Sequence, residues 1–287
     1  MDIAPIDLHH QGHERAIACY LLETEDGPAL FDCGPATSIA ALKTGLAQRG
    51  LELRDVRHLL LSHIHFDHAG AAGHLVREHP GLQVHVSEIG ARHLIDPSRL
   101  EASARRLYGE TFDTLYGALA PLPEQNLHVT GERVVGLECF PAPGHASHHV
   151  CYLDADGTLW AGDAAGVRIR PGTYVLPVCP PPDIDVEAWN LTIDEIERRV
   201  PQRLALIHFG VFEDVQAHIE RLREELARYT ELGSRVADAE EFTREAQSGI
   251  PPEERDLYER AAPLSQSYLG MKRYWDKRRE AAAAATE

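Results

Sequence analysis

The stretch SHIHFDHAG at 62–70 decides how the rest of this 287-residue chain is interpreted. It holds three histidines and an aspartate within six positions. An apolar run, HLLL, precedes it at 58–61, and small residues, AGAAG, overlap its end at 69–73. An apolar run bounded by a turn-like segment is typical of a buried strand, and the small residues favour a helix start. We therefore predict that a strand over 56–62 ends here in a short loop.

The four polar side chains of this loop have the spacing of metal ligands. His63 and His65 are two positions apart, so they converge only where the backbone is extended and then turns. Asp67 and His68, on the tight turn that follows, are directed at a neighbouring point. Imidazole and carboxylate are common ligands of divalent metal ions. The spacing favours two ions over one.

Four ligands leave a two-metal centre incomplete, and three further candidates follow predicted strands. His145 lies in PAPGHASHH, Asp163 in WAGDA and His208 in LIHFG. Each has small or turn-forming neighbours, as a ligand-bearing loop at a strand end requires. The early segment LFDCG adds Asp32, a carboxylate that we expect to orient a ligand histidine.

The order of these motifs, HxHxDH, PGH, GD and a late histidine, resembles the metallo-β-lactamase superfamily over roughly 16–210. Asp32 in LFDCG matches that superfamily's early Asp-x-Gly. The resemblance implies two metal-ligand sets joined by a bridging aspartate. One set is His63, His65 and His145, the other is Asp67, His68 and His208, and the bridge is Asp163.

The pattern of strands and helices predicts an α/β protein, an αββα sandwich with two sheets face to face between helical layers. The predicted strands lie at 16–23, 29–34, 56–62, 82–88, 126–130, 134–140, 149–154, 158–163 and 203–209. The predicted helices lie at 36–49, 185–200 and 213–229 and within 236–280. We expect a catalytic domain at 1–235 with a helical insert at about 88–123, and a C-terminal helical extension and tail at 236–287.

Composition narrows the partners and the compartment. The formal charge of −17 repels polyanions, so nucleic acid is not an expected partner, and basic runs such as Arg105-Arg106 are typical of solvated helix faces. We expect no membrane association, because no apolar run approaches the roughly 20 residues of a spanning helix. The N-terminus lacks the features of a signal peptide, so we expect a cytoplasmic protein. The five cysteines form no CxxC pair and are expected to be buried thiols.

Two divalent ions would lower the pKa of a shared water from 15.7 to roughly 7 and so provide a hydroxide nucleophile. Asp67 would then shuttle a proton. We expect zinc, with iron and manganese also compatible with imidazole and carboxylate ligands. The resulting hydrolase would cleave an ester, lactone or thioester in a small-molecule substrate.

Two branches of the superfamily suggest substrates. The segment GHASHHVCYL at 144–153 resembles glyoxalase II, which favours thioesters and makes His149 a supporting residue. Acyl homoserine lactonases use a tyrosine after the bridging aspartate, and the nearest one here is Tyr174, as an assisting or a packing residue. His9, His10 and His13 form an N-terminal cluster without a predicted role.

Three alternatives stay open. Persulfide dioxygenases resemble glyoxalase II and bind a single iron through a subset of the same positions. A structural metal site, or a scaffold without catalysis, would need the ligands only for stability. The insert and the C-terminal helices carry apolar stripes that suit substrate specificity, a homodimer contact or simple core packing.

Overall fold

Two six-stranded sheets form the centre of the fold in a computed structural model that describes residues 3–284. The first sheet has the strand order β1 to β6: β1 (Ile6–Asp7), β2 (Ala18–Thr24), β3 (Gly27–Phe31), β4 (His58–Leu60), β5 (Gln83–Val86) and β6 (Leu127–Val129). The second sheet runs in the order β12 to β7: β7 (Arg133–Val134), β8 (Leu137–Pro141), β9 (Val150–Leu153), β10 (Thr158–Trp160), β11 (Arg203–Leu206) and β12 (Gly210–Phe212).

The helices lie outside the sheets and in two added segments. They are α1 (Ile39–Ala47), α2 (Phe66–Ala69), α3 (Ala72–Glu78), α4 (Glu88–Ile95), α5 (Ser98–Tyr108), α6 (Phe112–Leu115), α7 (Val186–Arg199), α8 (Val215–Arg235), α9 (Ala239–Ala246), α10 (Arg255–Ala261) and α11 (Leu264–Ala284). Short 3-10 turns occur at His10–Gly12, Ala36–Ser38, Leu53–Asp55, Gly109–Thr111, Glu124–Asn126 and Gln247–Gly249. Within the described residues, no helix is long and apolar enough to cross a membrane.

Strand direction brings the strand-end loops together. Strands β3 to β6 are parallel, and β10 is parallel to β11, so the loops that follow these strands emerge at shared sheet edges. The remaining pairs are antiparallel hairpins or meanders. Parallel strands need crossover segments, which α1, α3 and α7 supply.

Large aromatic side chains join the two sheets. The Tyr20 ring packs edge-on against Trp160 with ring centres 5.5 Å apart, and Phe31 packs against Tyr152 at 6.0 Å. These residues are buried, and each tyrosine hydroxyl reaches the other half of the sandwich. Tyr20 donates to the Leu206 carbonyl at 2.7 Å. The αββα arrangement is therefore confirmed, with its core between the sheets.

The helical insert and the C-terminal helices meet each other. Phe66, which lies inside the HIHFDH motif, packs with Phe112 of the insert at a ring distance of 5.2 Å. Tyr108 at the end of α5 donates a hydrogen bond of 2.9 Å to Gln266 of α11. Helix α11 in turn contacts α8 and α9. The two added segments thus stand over one end of the sandwich.

Two expectations for secondary structure were wrong, and one strand was not foreseen. The predicted strand over 134–140 is divided into β7 and β8, because Val135 and Gly136 have positive φ angles of 42° and 92° and form a turn between them. The predicted strand over 203–209 stops at Leu206, and β12 follows before the helix. Strand β1 was not foreseen, since two residues carry too little pattern.

The C-terminal region and the cysteines agree with the sequence-based predictions. The C-terminal region is helical as predicted, and α11 extends to Ala284; the rest of the predicted tail lies outside the described residues. The division of the chain at 235 and 236 stays a prediction, since α8 and α11 on its two sides are in contact. All five cysteines are free and buried, as expected.

Candidate metal centre

The predicted ligands occupy loops that follow strands of both sheets. His63 and its neighbours follow β4, His145 follows β8, Asp163 follows β10 and His208 follows β11. His65 and Asp67 are half-buried, and the other five ligands are buried. The structure therefore brings all seven predicted ligands to one end of the sandwich.

His63, His65 and His145, the first ligand set, direct three ring nitrogens at one point. His65 Nδ1 lies 2.8 Å from His63 Nε2 and 3.0 Å from His145 Nε2. The other nitrogen of His145, Nδ1, is 2.7 Å from the Val178 carbonyl and donates to it, which leaves the Nε2 lone pair free. Three converging imidazole nitrogens are the donor set of a transition-metal ion.

Asp67, His68 and His208, the second ligand set, lie beside the first. Asp67 Oδ2 is 3.7 Å from His68 Nε2 and 3.4 Å from His208 Nε2. The His208 Nδ1 donates to the Ala16 carbonyl at 2.6 Å, so its Nε2 also faces the set with a lone pair. These ligand atoms lie within 4.8 Å of one another, close enough for one ion.

Asp163 stands between the two sets. Its Oδ2 is 3.4 Å from His145 Nε2 of the first set, and its Oδ1 is 3.4 Å from His68 Nε2 of the second. One carboxylate thus presents an oxygen to each set, which is the arrangement of a bridging ligand.

Asp32, which follows β3, is linked to both ligand sets through hydrogen bonds. Its carboxylate accepts hydrogen bonds from His68 Nδ1 at 2.8 Å and from Ser62 Oγ at 2.7 Å. Ser62 Oγ in turn lies 2.9 Å from His63 Nδ1 and accepts its proton. A buried carboxylate therefore orients one histidine of each set, the outer-partner role that holds an imidazole in one tautomer.

For the first ligand set and for Asp163, the electrostatic environment favours the protonation states that bind metal. Burial lowers the pKa of His63 and His65 well below 6.5, and neighbouring imidazoles add to the effect. Burial also lowers the pKa of His145. Burial raises the pKa of Asp163, but the imidazoles around it, His68 above all, outweigh this and hold it well below its ordinary value. Neutral imidazole and ionised carboxylate are the forms that bind metal.

Unpartnered atoms show where a cation fits. His68 Nε2 and Asp163 Oδ1 are buried without a hydrogen-bond partner in the part of the chain that the structure describes. Burial alone would lower the pKa of His68, but the carboxylates of Asp163, Asp67 and Asp32 raise it well above 6.5. These carboxylates favour positive charge at this point, which a divalent ion would supply. The donor set therefore fits a metal centre.

A cavity of about 720 Å³ opens onto the ligand sets. His65, Asp67, His145, Asp163 and His208 form its floor. The insert supplies one wall and the segments around Pro181 and Pro263 supply the others. A cavity of this size admits a small-molecule substrate.

Comparison with known proteins identifies the family. The family model for the metallo-beta-lactamase superfamily matches residues 13–210. The chain belongs to this superfamily. It is 30% identical over 156 residues to YobT, an uncharacterized protein of Bacillus subtilis (strain 168), and the match covers 53% of this chain and 63% of YobT. The chain therefore spans less than two thirds of the length of this curated relative.

Solved structures show the same fold. The metallo-beta-lactamase family protein TTHA1429 of Thermus thermophilus superposes with a TM-score of 0.70 at 22% identity, covering 96% of this chain and 93% of the other. TTHA1623, whose structure was determined in a di-iron-bound form, superposes with a TM-score of 0.53 at 26% identity, covering 70% of this chain and 91% of the other.

The two candidates for supporting residues, His149 and Tyr174, lie in different places. His149 is buried beside the centre, and its Nε2 accepts a hydrogen bond of 3.1 Å from the Asp163 amide. Tyr174 is not brought to the site. Its hydroxyl donates to Glu225 at 2.7 Å and lies 3.1 Å from an Arg228 nitrogen, so it packs under the C-terminal helices.

Two histidines near the site were not assigned by sequence. His10 is buried against Tyr116 and leaves its Nδ1 unpartnered among the described residues. Burial lowers its pKa, while Asp67 raises it. His148 lines the cavity, and burial lowers its pKa to about 4. Both stand in histidine-rich segments, HHQGH and HASHH, which is the signal that could have found them.

Proposed function

We propose that this protein is a dinuclear metal-dependent hydrolase that cleaves an ester, lactone or thioester bond in a small molecule. The observation that carries the proposal is the position of Asp163, which presents one oxygen to each ligand set at the floor of the cavity. An intact second set beside the first favours two ions over the single iron of a dioxygenase-like site.

Two divalent ions in these sets would supply Lewis acidity and would lower the pKa of a bound water. The reaction adds water across the scissile bond: the carbonyl carbon gains oxygen, and the carbon–oxygen or carbon–sulfur bond breaks. Asp67 is suited to carry the proton from water to the departing oxygen or sulfur. It lines the cavity, and although burial raises its pKa, His68 and His208 hold it low enough to leave the carboxylate ionised.

Zinc is the proposed metal because imidazole and carboxylate ligands suit it, and iron is the second choice. The di-iron-bound form of TTHA1623 supports two ions and shows that one relative binds iron. Metal content per chain distinguishes the two.

The test combines metal content with turnover. We would purify the chain without added metal, quantify zinc, iron and manganese, and assay aryl esters, lactones and thioesters. We expect Asp163→Ala and His145→Ala to lose about 100-fold or more of the activity, the scale of removing a charge-stabilising group. His128→Ala is the matched control, since His128 is exposed on β6.

Two results would overturn the proposal. One is hydrolysis that persists in Asp163→Ala and His145→Ala. The other is one iron per chain, no hydrolysis and oxygen uptake with a persulfide, which would favour a dioxygenase.

A further inference from the structure

Three exposed arginines, which we call the rim arginines, line the cavity. Arg99 and Arg106 come from α5 of the insert, and Arg273 comes from α11 at the other end of the chain. Within residues 3–284 none of the three has a hydrogen bond or an ion pair with another protein group. Two segments distant in sequence thus bring free guanidinium groups to one rim.

Their neighbours behave differently. Arg105, next to Arg106, pairs with Glu101 at 2.9 Å and with Asp113 at 2.6 Å. Arg278, one and a half turns beyond Arg273, pairs with Glu187 at 2.8 Å. In a chain with a formal charge of −17, carboxylates are abundant, yet among residues 3–284 these rim arginines form no hydrogen bond or ion pair with one, and Arg99 has only an electrostatic interaction with Asp96.

The other titratable groups of the rim leave the arginine charge in excess. Asp183 is the rim carboxylate, and it already accepts a hydrogen bond of 2.7 Å from Ser147. Burial and Arg92 lower the pKa of His93. Outside the metal-ligand sets, the three arginines of the cavity lining thus meet one lining carboxylate, Asp183, and Asp96 lies close enough to Arg99 for an electrostatic interaction. The remaining positive charge attracts anionic ligands.

Apolar side chains line the same cavity as the arginines and the predicted metal ligands. They include Leu100, Ala104, Tyr108 and Val178. On α5, Arg99, Ser103 and Arg106 follow the i, i+4, i+7 spacing of one helix face, so the two arginines stand about 10 Å apart along the helix axis. The three arginines are exposed, whereas the predicted metal ligands of the same cavity are buried or half-buried, so a ligand that fills the cavity contacts guanidinium groups, apolar side chains and the metal-ligand sets.

We propose that the substrate carries a carboxylate or phosphate at the end remote from the scissile bond, and that Arg99, Arg106 and Arg273 bind this oxyanion. The proposal rests on the proposed hydrolase function and names its substrate class. Guanidinium groups pair with either oxyanion through two parallel hydrogen bonds, and the apolar wall holds the stem between the two ends.

The first experiment compares two esters that differ in one charge. Mono-4-nitrophenyl glutarate ends in a carboxylate, and 4-nitrophenyl butyrate does not. We expect kcat/KM to be about tenfold or more higher for the charged ester, the scale of one charge-assisted hydrogen bond. Arg99→Gln and Arg106→Gln should each remove much of this preference by raising KM for the charged ester. Added salt should weaken the preference.

Arg77→Gln is the matched control. Arg77 is exposed on α3, away from the cavity, and is likewise without a hydrogen bond or ion pair among the described residues. Its loss removes the same charge from the molecule but not from the rim. A fall in the preference equal to that of Arg106→Gln would show a nonspecific charge effect and overturn the proposal.

Binding without turnover separates this proposal from the proposed function. Glutarate and glycerol 3-phosphate would be titrated calorimetrically into the wild type and the variant with all three arginines changed to glutamine. Tighter glutarate binding assigns a carboxylate, and tighter glycerol 3-phosphate binding assigns a phosphate. Binding that depends on the arginines, with no hydrolysis of any ester, supports the rim site and overturns the hydrolase. Hydrolysis that shows no preference for the charged ester, together with anion binding that does not depend on the arginines, supports the hydrolase and overturns the rim site.

Discussion

Asp32→Asn tests how the histidines of the centre are oriented. The buried carboxylate of Asp32 accepts hydrogen bonds from the Ser62 amide at 2.7 Å, from Ser62 Oγ at 2.7 Å and from His68 Nδ1 at 2.8 Å. Its φ angle is 53°, in the left-handed region that asparagine tolerates. We therefore expect the variant to fold, and to bind metal at the second ligand set more weakly.

The magnitude follows from which oxygen accepts each bond. Oδ1 accepts from the Ser62 amide, while Oδ2 accepts from Ser62 Oγ and His68. Asparagine has a single carbonyl oxygen. If that oxygen keeps the hydrogen bond from the Ser62 amide, the NH₂ group of the asparagine faces His68 Nδ1, so two donors meet and the hydrogen bond from His68 is lost. A lost charge-assisted bond costs about 1.5–3 kcal/mol. That is about a 10–100-fold loss of metal affinity, the range known for outer partners of metal ligands.

Competition with a chromogenic chelator at pH 7.5 would measure the zinc affinity of the wild type and the variant. Asp26→Asn, in the exposed β2–β3 turn, is the control for loss of a negative charge. Thermal unfolding of the metal-free proteins would confirm that both variants fold. Equal zinc affinity in Asp32→Asn and the wild type would refute the orienting role of Asp32.

Three further predictions concern stability. Burial lowers the pKa of His85 to about 3. In the unfolded chain this imidazole takes up a proton near pH 6.5. Metal-free protein should therefore lose about 1.4 kcal/mol of stability from His85 between pH 7.5 and 5.5, and urea unfolding of His85→Gln should lack this loss. An equal pH dependence of the two proteins would contradict the prediction. Gly144→Ala should cost about 3 kcal/mol or more, because a Cβ there would lie 2.3 Å from Trp189 Cα at a φ of +135°, whereas Gly131→Ala meets nothing within 4 Å and should cost about 0.5 kcal/mol or less. Equal urea midpoints for the two variants would show the close approach to be unimportant. Removing metal with a chelator should lower the melting temperature by about 5–10 °C for each ion held at 100 times its Kd, and a calorimetric scan without a shift would argue against a folded-state metal centre.

Local sequence patterns predicted the sandwich, but they did not predict a short turn or the contacts between residues distant in sequence. Alternation of apolar runs with turn residues located most of the strands, because burial on both faces of the sheets leaves a strong signal. The turn at Val135 and Gly136 was missed, since one glycine within an apolar run is also compatible with a continuous strand. Tyr174 was placed by its proximity in sequence to Asp163, but the chain carries it beneath helix α8, where Glu225 binds its hydroxyl.

The sequence predicted the residue types of the candidate site but not the direction in which their ligand atoms point. Histidine and aspartate at strand ends are visible in the sequence, but a ligand nitrogen is directed by whatever binds the opposite side of its ring. For His145 and His208 those partners are the carbonyls of Val178 and Ala16, and a backbone carbonyl is offered by every residue. Ala16 precedes β2 of the first sheet, while His208 follows β11 of the second. The orientation of the His208 ring thus depends on how the two sheets pack against each other. The geometry of the centre is therefore a property of the assembled sandwich and not of any one motif.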